Sequence, residues 1–154
     1  MVKVYIALGS NRGNRSRHVT NALRKIQKHV FINRISSFIL SRPAENAMGG
    51  TFLNGVLEGK TELSPRKLIL FLHEIEKNEG RIFPHVRGDE REIDLDIIFY
   101  GNRVIKSKAL VVPHPRYMER DFVIIPISEI APLFRDPETG KQMKDMRSQE
   151  VIIK

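Results

Sequence analysis

Arg91-Glu92-Ile93-Asp94-Leu95-Asp96-Ile97-Ile98 alternates charged and aliphatic side chains with a period of two. On an extended chain, residues two apart share a face. Ile93, Leu95 and Ile97 therefore point into a core, while Glu92, Asp94 and Asp96 point away from it. The pattern continues to Tyr100, where Gly101-Asn102 makes a turn into Val104-Ile105. A strand of this kind needs a sheet to lie in, and the preceding sequence supplies one.

Upstream, Ser64-Pro65 is an N-cap followed by proline at the first helical position. Leu68, Ile69, Leu72 and Ile75 then give an amphipathic helix ending near Gly80, and 81–92 is a polar loop. Thr51 to Glu58 and Phe31 to Ser41 read as extended segments that pair with each other. Between them 42–50, with Pro43 and the Gly49-Gly50 pair, is irregular. Val2 to Leu8 opens the chain as a strand and runs into a turn at Gly9-Ser10-Asn11-Arg12-Gly13-Asn14. Asn14 or Ser16 caps a helix whose stripe is Val19, Ala22, Leu23, Ile26 and Val30. The order strand, helix, strand, strand, helix, strand predicts an α+β fold with a ferredoxin-like βαββαβ core. Short extended segments after residue 100 predict an enlarged, mainly antiparallel sheet with helices on its faces. The apolar run Phe122 to Ile127 and the tail to Lys154 are expected to complete the core and one wall of a site.

The 154 residues suit a single domain spanning 1–154, large enough to bury about two thirds of its unfolded surface. With no cysteine there is no disulfide framework, thiolate metal site or cysteine nucleophile. The sequence shows neither a signal-peptide pattern nor a membrane-length apolar run, so a cytoplasmic protein without a membrane partner is expected. The net charge of +8 is uneven: residues 1–44 carry nine basic side chains and no acidic one. Attraction of anions and a solvated helix face are both compatible with that excess.

Asp94 and Asp96 would project side by side, about 7 Å apart at roughly 3.3 Å per residue. Their repulsion is relieved by a cation, and Mg²⁺ takes one or two carboxylates while keeping water and phosphate oxygens in its shell. Glu76, Arg81, Arg87 and Arg91 precede or flank this strand, and His114, Arg116 and Arg120 follow it. Carboxylates for metal with several guanidinium groups for phosphate are the parts that hold a nucleotide polyphosphate. The prolines around His114 favour a fixed imidazole. The 9–13 loop matches neither the P-loop nor the dinucleotide glycine fingerprint. It is read as a turn from which Asn11 hydrogen-bonds across the site.

Six segments, ALGSN at 7–11, FLN at 52–54, E-x3-GR at 76–81, R-x-IDLDI at 91–97, VPHPR at 112–116 and R-x-F at 120–122, resemble in order and spacing the 6-hydroxymethyl-7,8-dihydropterin pyrophosphokinases of folate biosynthesis. The resemblance implies transfer of the β,γ-pyrophosphoryl group of ATP to the pterin hydroxymethyl oxygen, giving AMP and the pterin pyrophosphate, by a monomer. By position it implies that Asp94 and Asp96 ligate two Mg²⁺ and that Arg81 and Arg91 are catalytic. Glu76, Arg81, Arg87, Arg91, His114, Arg116 and Arg120, with Ile69 and Ile97, would surround ATP. Pro43, Ala44, Phe52, Asn54 and Phe122 would hold the pterin.

The sequence also departs from the family pattern. Phe52 stands where many members have tyrosine, and Phe83 stands where a second arginine is usual. The stretch 87–91 lacks the usual loop aromatic. These differences predict an altered loop and weaker ATP binding with the same reaction, Arg87 being the substitute for the missing arginine. Two other classes compete. A basic RNA-binding ferredoxin-like module would need an aromatic RNP1-type strand, and the strand here exposes carboxylates instead. A metal-dependent nucleotidyltransferase shares D-x-D and is separated by its acceptor, which Phe122 and Asn54 would select.

Overall fold

The computed structural model describes residues 1–42, 51–79, 92–146 and 152–153. Strand β1 (Val2–Ser10) leads into helix α1 (Arg15–Ile26), whose N-cap is Asn14. The Asn14 side chain accepts the Arg17 N–H at 3.1 Å, satisfying one of the orphan amides of the first turn. Strands β2 (Val30–Ile35) and β3 (Ile39–Ser41) follow, then β4 (Phe52–Thr61). Helix α2 (Pro65–Asn78) has the expected Ser64 cap and proline at its start, and β5 (Asp94–Tyr100) completes the βαββαβ core. Every pairing of β1, β2, β4 and β5 is antiparallel. In space they run β5, β1, β4, β2, the order of the ferredoxin-like arrangement.

Strand β1 runs two residues further than the alternation from Val2 to Leu8 indicates. Gly9 and Ser10 still pair with Asn54 and Leu53, so the turn begins only at Asn11. The extended stretch 31–41 is two strands rather than one. Both lie along β4, and the break falls at Ser36: its Oγ accepts the Val56 N–H at 2.9 Å and its own N–H reaches the Val56 carbonyl at 2.9 Å. A side-chain oxygen thus stands in for a ladder bond and lets the backbone turn away.

The enlargement of the sheet comes from β3 and from β8 (Ile152–Ile153), which pair with each other. Strands β6 (Ile105–Lys106) and β7 (Val111–Val112) form a separate two-stranded ribbon. The run from Phe122 to Ile127 lies in a third helix, α3 (Asp121–Ile130). It follows a 3₁₀ turn at Tyr117–Glu119, and a second such turn lies at Met143–Asp145.

The sheet is covered on both faces. Val4, Ile6 and Leu8 of β1, Ile93, and Leu95 and Ile97 of β5 meet Val19, Ala22 and Ile26 of α1 and Leu68, Leu72 and Ile75 of α2. On the other face Tyr5, Val56, Ile98 and Phe99 meet Tyr117 and the α3 residues Val123, Ile124 and Ile127. A bulge makes this possible: Tyr5 is opposite Phe99 but Ile6 is opposite Ile97, so β5 carries one extra residue. Strict alternation would send Phe99 to the α1–α2 side; the bulge re-aims it toward α3. Among the described residues no helix is long and apolar enough to cross a membrane.

Candidate active site

On the α3 face of the sheet, the C-terminal end of β1 brings polar side chains of its neighbouring strands together. Register places Ile39 of β3, Asn54 of β4, Gly9 of β1 and Asp94 of β5 in one row, with Val56, Ala7 and Asp96 in a neighbouring row. Strands lie about 4.8 Å apart, so Asn54 and Asp94 flank Gly9 at a separation near 10 Å. Glycine at position 9 lets neighbouring side chains come close to β1, because a Cβ there would stand 3.0 Å from Asn54 Oδ1 and 3.4 Å from the Phe52 ring. The result is a flat floor with an amide on one side and carboxylates on the other.

Asn54 is only 4% exposed. Its Nδ2 donates to Ser41 Oγ at 2.6 Å and to the Phe52 carbonyl at 3.3 Å, which fixes the amide and turns Oδ1 toward Gly9. Phe52 is half-buried beside it. At the start of α3 the Arg120 guanidinium lies over the Phe122 ring, 5.5 Å from its centroid, so one expected pterin residue and one expected phosphate residue act as a pair.

Asp94 and Asp96 are half-buried on this face, as the alternation requires, while Ile93, Leu95 and Ile97 are sealed beneath. Glu76, 1% exposed, accepts the Leu95 N–H at Oε2 over 2.8 Å. It therefore pins the peptide between the two aspartates. Glu76, expected to support the nucleotide or the loop, is seen here supporting β5. Ile97 is 2% exposed in the α1–α2 core, and half-buried Ile69 packs against that same core. The side chain of Ile97 is thus on the opposite face from the carboxylates.

His114 lies against the outer edge of β5, donating its N–H to the Ile98 carbonyl at 3.0 Å; the Val112–Pro113 peptide is cis. Its Nδ1 accepts the Arg116 N–H at 3.2 Å, which places the ring proton on Nε2. Burial first, then the Arg120 and Arg116 cations, push its pKa down to about 4 against the pull of Asp94. Near neutral pH His114 is a fixed neutral donor rather than a cation. Arg116 is exposed, with Nε 3.6 Å from Glu119.

Pro43, Ala44, Arg81, Arg87 and Arg91 lie outside the described residues, as does the expected change in the 87–91 loop. The two stretches that hold them are nevertheless bounded by fixed points. Arg15 donates to the Thr51 carbonyl and hydroxyl at 2.7 and 2.8 Å. Glu79, at the end of α2, takes Lys25 at 2.9 Å and His18 at 3.1 Å, and Arg12 is 3.4 Å from Glu92. The basic N-terminal third thus has a structural use that its composition does not disclose. Sequence reasoning also missed Gly9 as a floor, Ser41 as the anchor of Asn54, and Glu76 as the anchor of Leu95. For Gly9 a signal was present, since it continues the Tyr5, Ala7 face of β1.

The donor set can be tested for a cation. Among the described residues no group of three or more histidine, aspartate or glutamate side chains could enclose a metal. Two neighbouring carboxylates beside a neutral imidazole and guanidinium groups suit a hard ion that keeps water and phosphate oxygens in its shell. Mg²⁺ fits this chemistry, and a site saturated by protein ligands does not.

A family model described as 7,8-dihydro-6-hydroxymethylpterin-pyrophosphokinase matches residues 5–132. The chain is 37% identical over 152 residues to 2-amino-4-hydroxy-6-hydroxymethyldihydropteridine pyrophosphokinase of Aquifex aeolicus, covering 99% of this chain and 94% of that one. It is 39% identical over 133 residues to the protein of the same name from Haemophilus influenzae, covering 85% and 82%. The folate synthesis bifunctional protein of Arabidopsis thaliana is 39% identical over 129 residues, but the chain spans only 27% of it. Among solved structures, wild-type HPPK-DHPS of Plasmodium falciparum superposes with a TM-score of 0.75 at 13% identity, covering 94% of this chain and 44% of that one. That likeness concerns the fold of one part of the longer protein.

Proposed function

This chain belongs to the 7,8-dihydro-6-hydroxymethylpterin-pyrophosphokinase family and transfers pyrophosphate from ATP to 6-hydroxymethyl-7,8-dihydropterin in folate biosynthesis; we propose that the row Asn54, Gly9, Asp94 aligns its two substrates. Gly9 gives the flat pterin ring room over the sheet. Asn54, its amide fixed by Ser41, presents Oδ1 to the ring's N–H edge, and Phe52 and Phe122 supply apolar faces, with Pro43 and Ala44 lining the same pocket. An unpaired buried ring group would cost about 1–3 kcal/mol, which is why a pre-aimed amide selects the pterin.

The hydroxymethyl group then lies toward β5. Asp94 and Asp96 hold two Mg²⁺ there, which when bound supply charge neutralisation on the triphosphate and a lowered acceptor pKa. His114, through Nε2–H, donates to a phosphate oxygen without adding charge. Arg120 and Arg116, with Arg81, Arg87 and Arg91, hold the remaining phosphate oxygens and meet charge as it develops in transfer. Glu76 keeps the aspartates in register through Leu95. The oxygen of the hydroxymethyl group attacks the β-phosphorus and its proton passes to water, while the bond from that phosphorus to the bridging oxygen of the α-phosphate breaks and AMP leaves with that oxygen. The same reading makes residues 1–154 one pyrophosphokinase domain, a cytoplasmic monomer acting on small molecules with neither nucleic acid nor membrane as partner.

The observation that supports this reading is the register row that sets Asn54 and Asp94 on either side of Gly9. Phosphorus NMR of the protein with MgATP and the pterin should show AMP and a pterin pyrophosphate, both absent for Asp94→Ala and Asp96→Ala. Full turnover by either aspartate variant would refute the assigned metal site.

A further inference from the structure

The segment that carries His114, Arg116 and Arg120 is short and largely irregular, yet it must hold three groups against phosphate. Its one buried side chain at the centre is Tyr117, 1% exposed. Tyr117 N–H donates to the His114 carbonyl at 3.4 Å, and its own carbonyl accepts the Arg120 N–H at 3.0 Å. The backbone of one residue therefore links both ends of the cationic rim. Its ring stands edge-on to Phe99, with centroids 5.1 Å apart, at the place where the bulge turns Phe99 toward α3.

The Tyr117 hydroxyl donates to Asp136 Oδ2. Asp136 is 2% exposed and is itself held, because its Oδ1 accepts the Glu138 N–H at 2.6 Å and the Thr139 N–H at 3.2 Å. Its backbone is tied across the turn by Asp136 N–H to the Lys141 carbonyl at 2.9 Å and Gly140 N–H to the Asp136 carbonyl at 2.8 Å. Asp136 lies beyond residues 5–132, the span that the family model matches. A buried carboxylate locked by two amides is a stiff post, and what it holds is a phenol hydroxyl at the centre of the phosphate-binding rim.

We propose that Asp136 is a positioning residue for nucleotide binding, acting through the Tyr117 hydroxyl to hold His114, Arg116 and Arg120 in one arrangement. This rests on the reading that those three groups bind the phosphates of ATP. Asn54, Ser41 and Phe52, on the pterin side, have no part in the chain of contacts, and Phe122 meets it only through the Arg120 that lies over its ring. The effect is therefore larger for ATP than for the pterin, whereas loss of a purely structural bond would weaken both or neither.

Tyr117→Phe is the decisive variant, since it keeps the ring on Phe99 and removes only the hydroxyl. In the whole chain, direct titration with MgATP should show a dissociation constant raised about fivefold to tenfold, the worth of about one net hydrogen bond. The KM for ATP should rise likewise, while that for the pterin stays within about twofold. Asp136→Asn can keep its oxygen on the Glu138 and Thr139 amides and donate Nδ2–H to the Tyr117 oxygen, so it should retain most of the affinity; Asp136→Leu should match Tyr117→Phe if it folds. Wild-type ATP affinity in Tyr117→Phe, or equal weakening for both substrates, overturns the inference and leaves the pyrophosphokinase reading intact. Failure of the unaltered protein to bind MgATP would overturn the reading itself, and the inference with it.

Discussion

The two faces of this sheet are built from the same strands offset by one residue, and they have opposite fates. On the α1–α2 side, Val4, Ile6, Leu8, Leu95 and Ile97 are all at most 2% exposed and form a closed core. On the α3 side the same strands offer Gly9, Asn54, Asp94 and Asp96. Aromatic packing of Tyr5, Phe99, Tyr117 and Phe134 fills that face at one end, and the other end carries the polar groups. The lesson is that a strand can separate stability from chemistry at a cost of one residue in register. Each side chain that is excluded from the core by alternation becomes available to a site without weakening the core beneath it.

That separation can be broken by paired substitutions. Asp96→Asn should lower turnover by roughly 10²- to 10³-fold while the protein still folds, since Asp96 lies outside the closed core. Leu72→Ala, on the closed side, should destabilise by about 2–5 kcal/mol while the KM values of the folded fraction stay put. If Asp96→Asn unfolded the protein, or Leu72→Ala altered substrate affinity, the two faces would not be independent. Gly9→Ala sharpens the contrast within the open face. Its Cβ meets Asn54 Oδ1 at 3.0 Å, and overpacking of about 1–3 kcal/mol corresponds to roughly a tenfold or greater rise in pterin KM. An unchanged pterin KM would remove Gly9 from the floor.

The smallest effect is expected at Glu79, where α2 meets α1. Burial raises its pKa, but hydrogen bonds from Lys25 and His18, with the Lys25 charge and a bond from Asn21, outweigh that and hold it below its usual value. A carboxylate depressed in the folded state stabilises above its unfolded pKa, and the contribution is lost as pH falls through the folded one. Glu79→Gln should therefore melt about 2–4 °C lower at pH 7, with the difference fading in acid below pH 4. A gap that stayed constant down to pH 3 would show that the bonds, not the charge, carry the effect.

Much of the architecture was legible because it rests on local rules. The caps at Asn14 and Ser64, the period change between strand and helix, and the alternation around Asp94 and Asp96 each act over a few residues. What was not legible depends on partners distant in the chain. The break at Ser36 follows from a hydroxyl that finds the amide of Val56, 20 residues away. The bulge at β5 is visible only in the register against β1. The Phe122 to Ile127 run gives no period because α3 is apolar on several sides and carries Pro126 within it, so pattern cannot separate helix from strand there. Of the site, the residue types and spacing were readable, but Gly9 and Glu76 acquire their meaning from the strands beside them.

The hydrogen bond from the His114 amide to Ile98 has a consequence for solubility. Among the described residues β5 ends the sheet, and a terminal strand with unpaired backbone groups is a template on which another chain can add. His114 occupies one of those groups at the middle of β5, and a segment with proline on either side of it cannot itself extend the ladder. The residue proposed to face phosphate with its ring guards the margin of the sheet with its backbone, so on that reading damage to this segment would invite self-association along with loss of nucleotide binding.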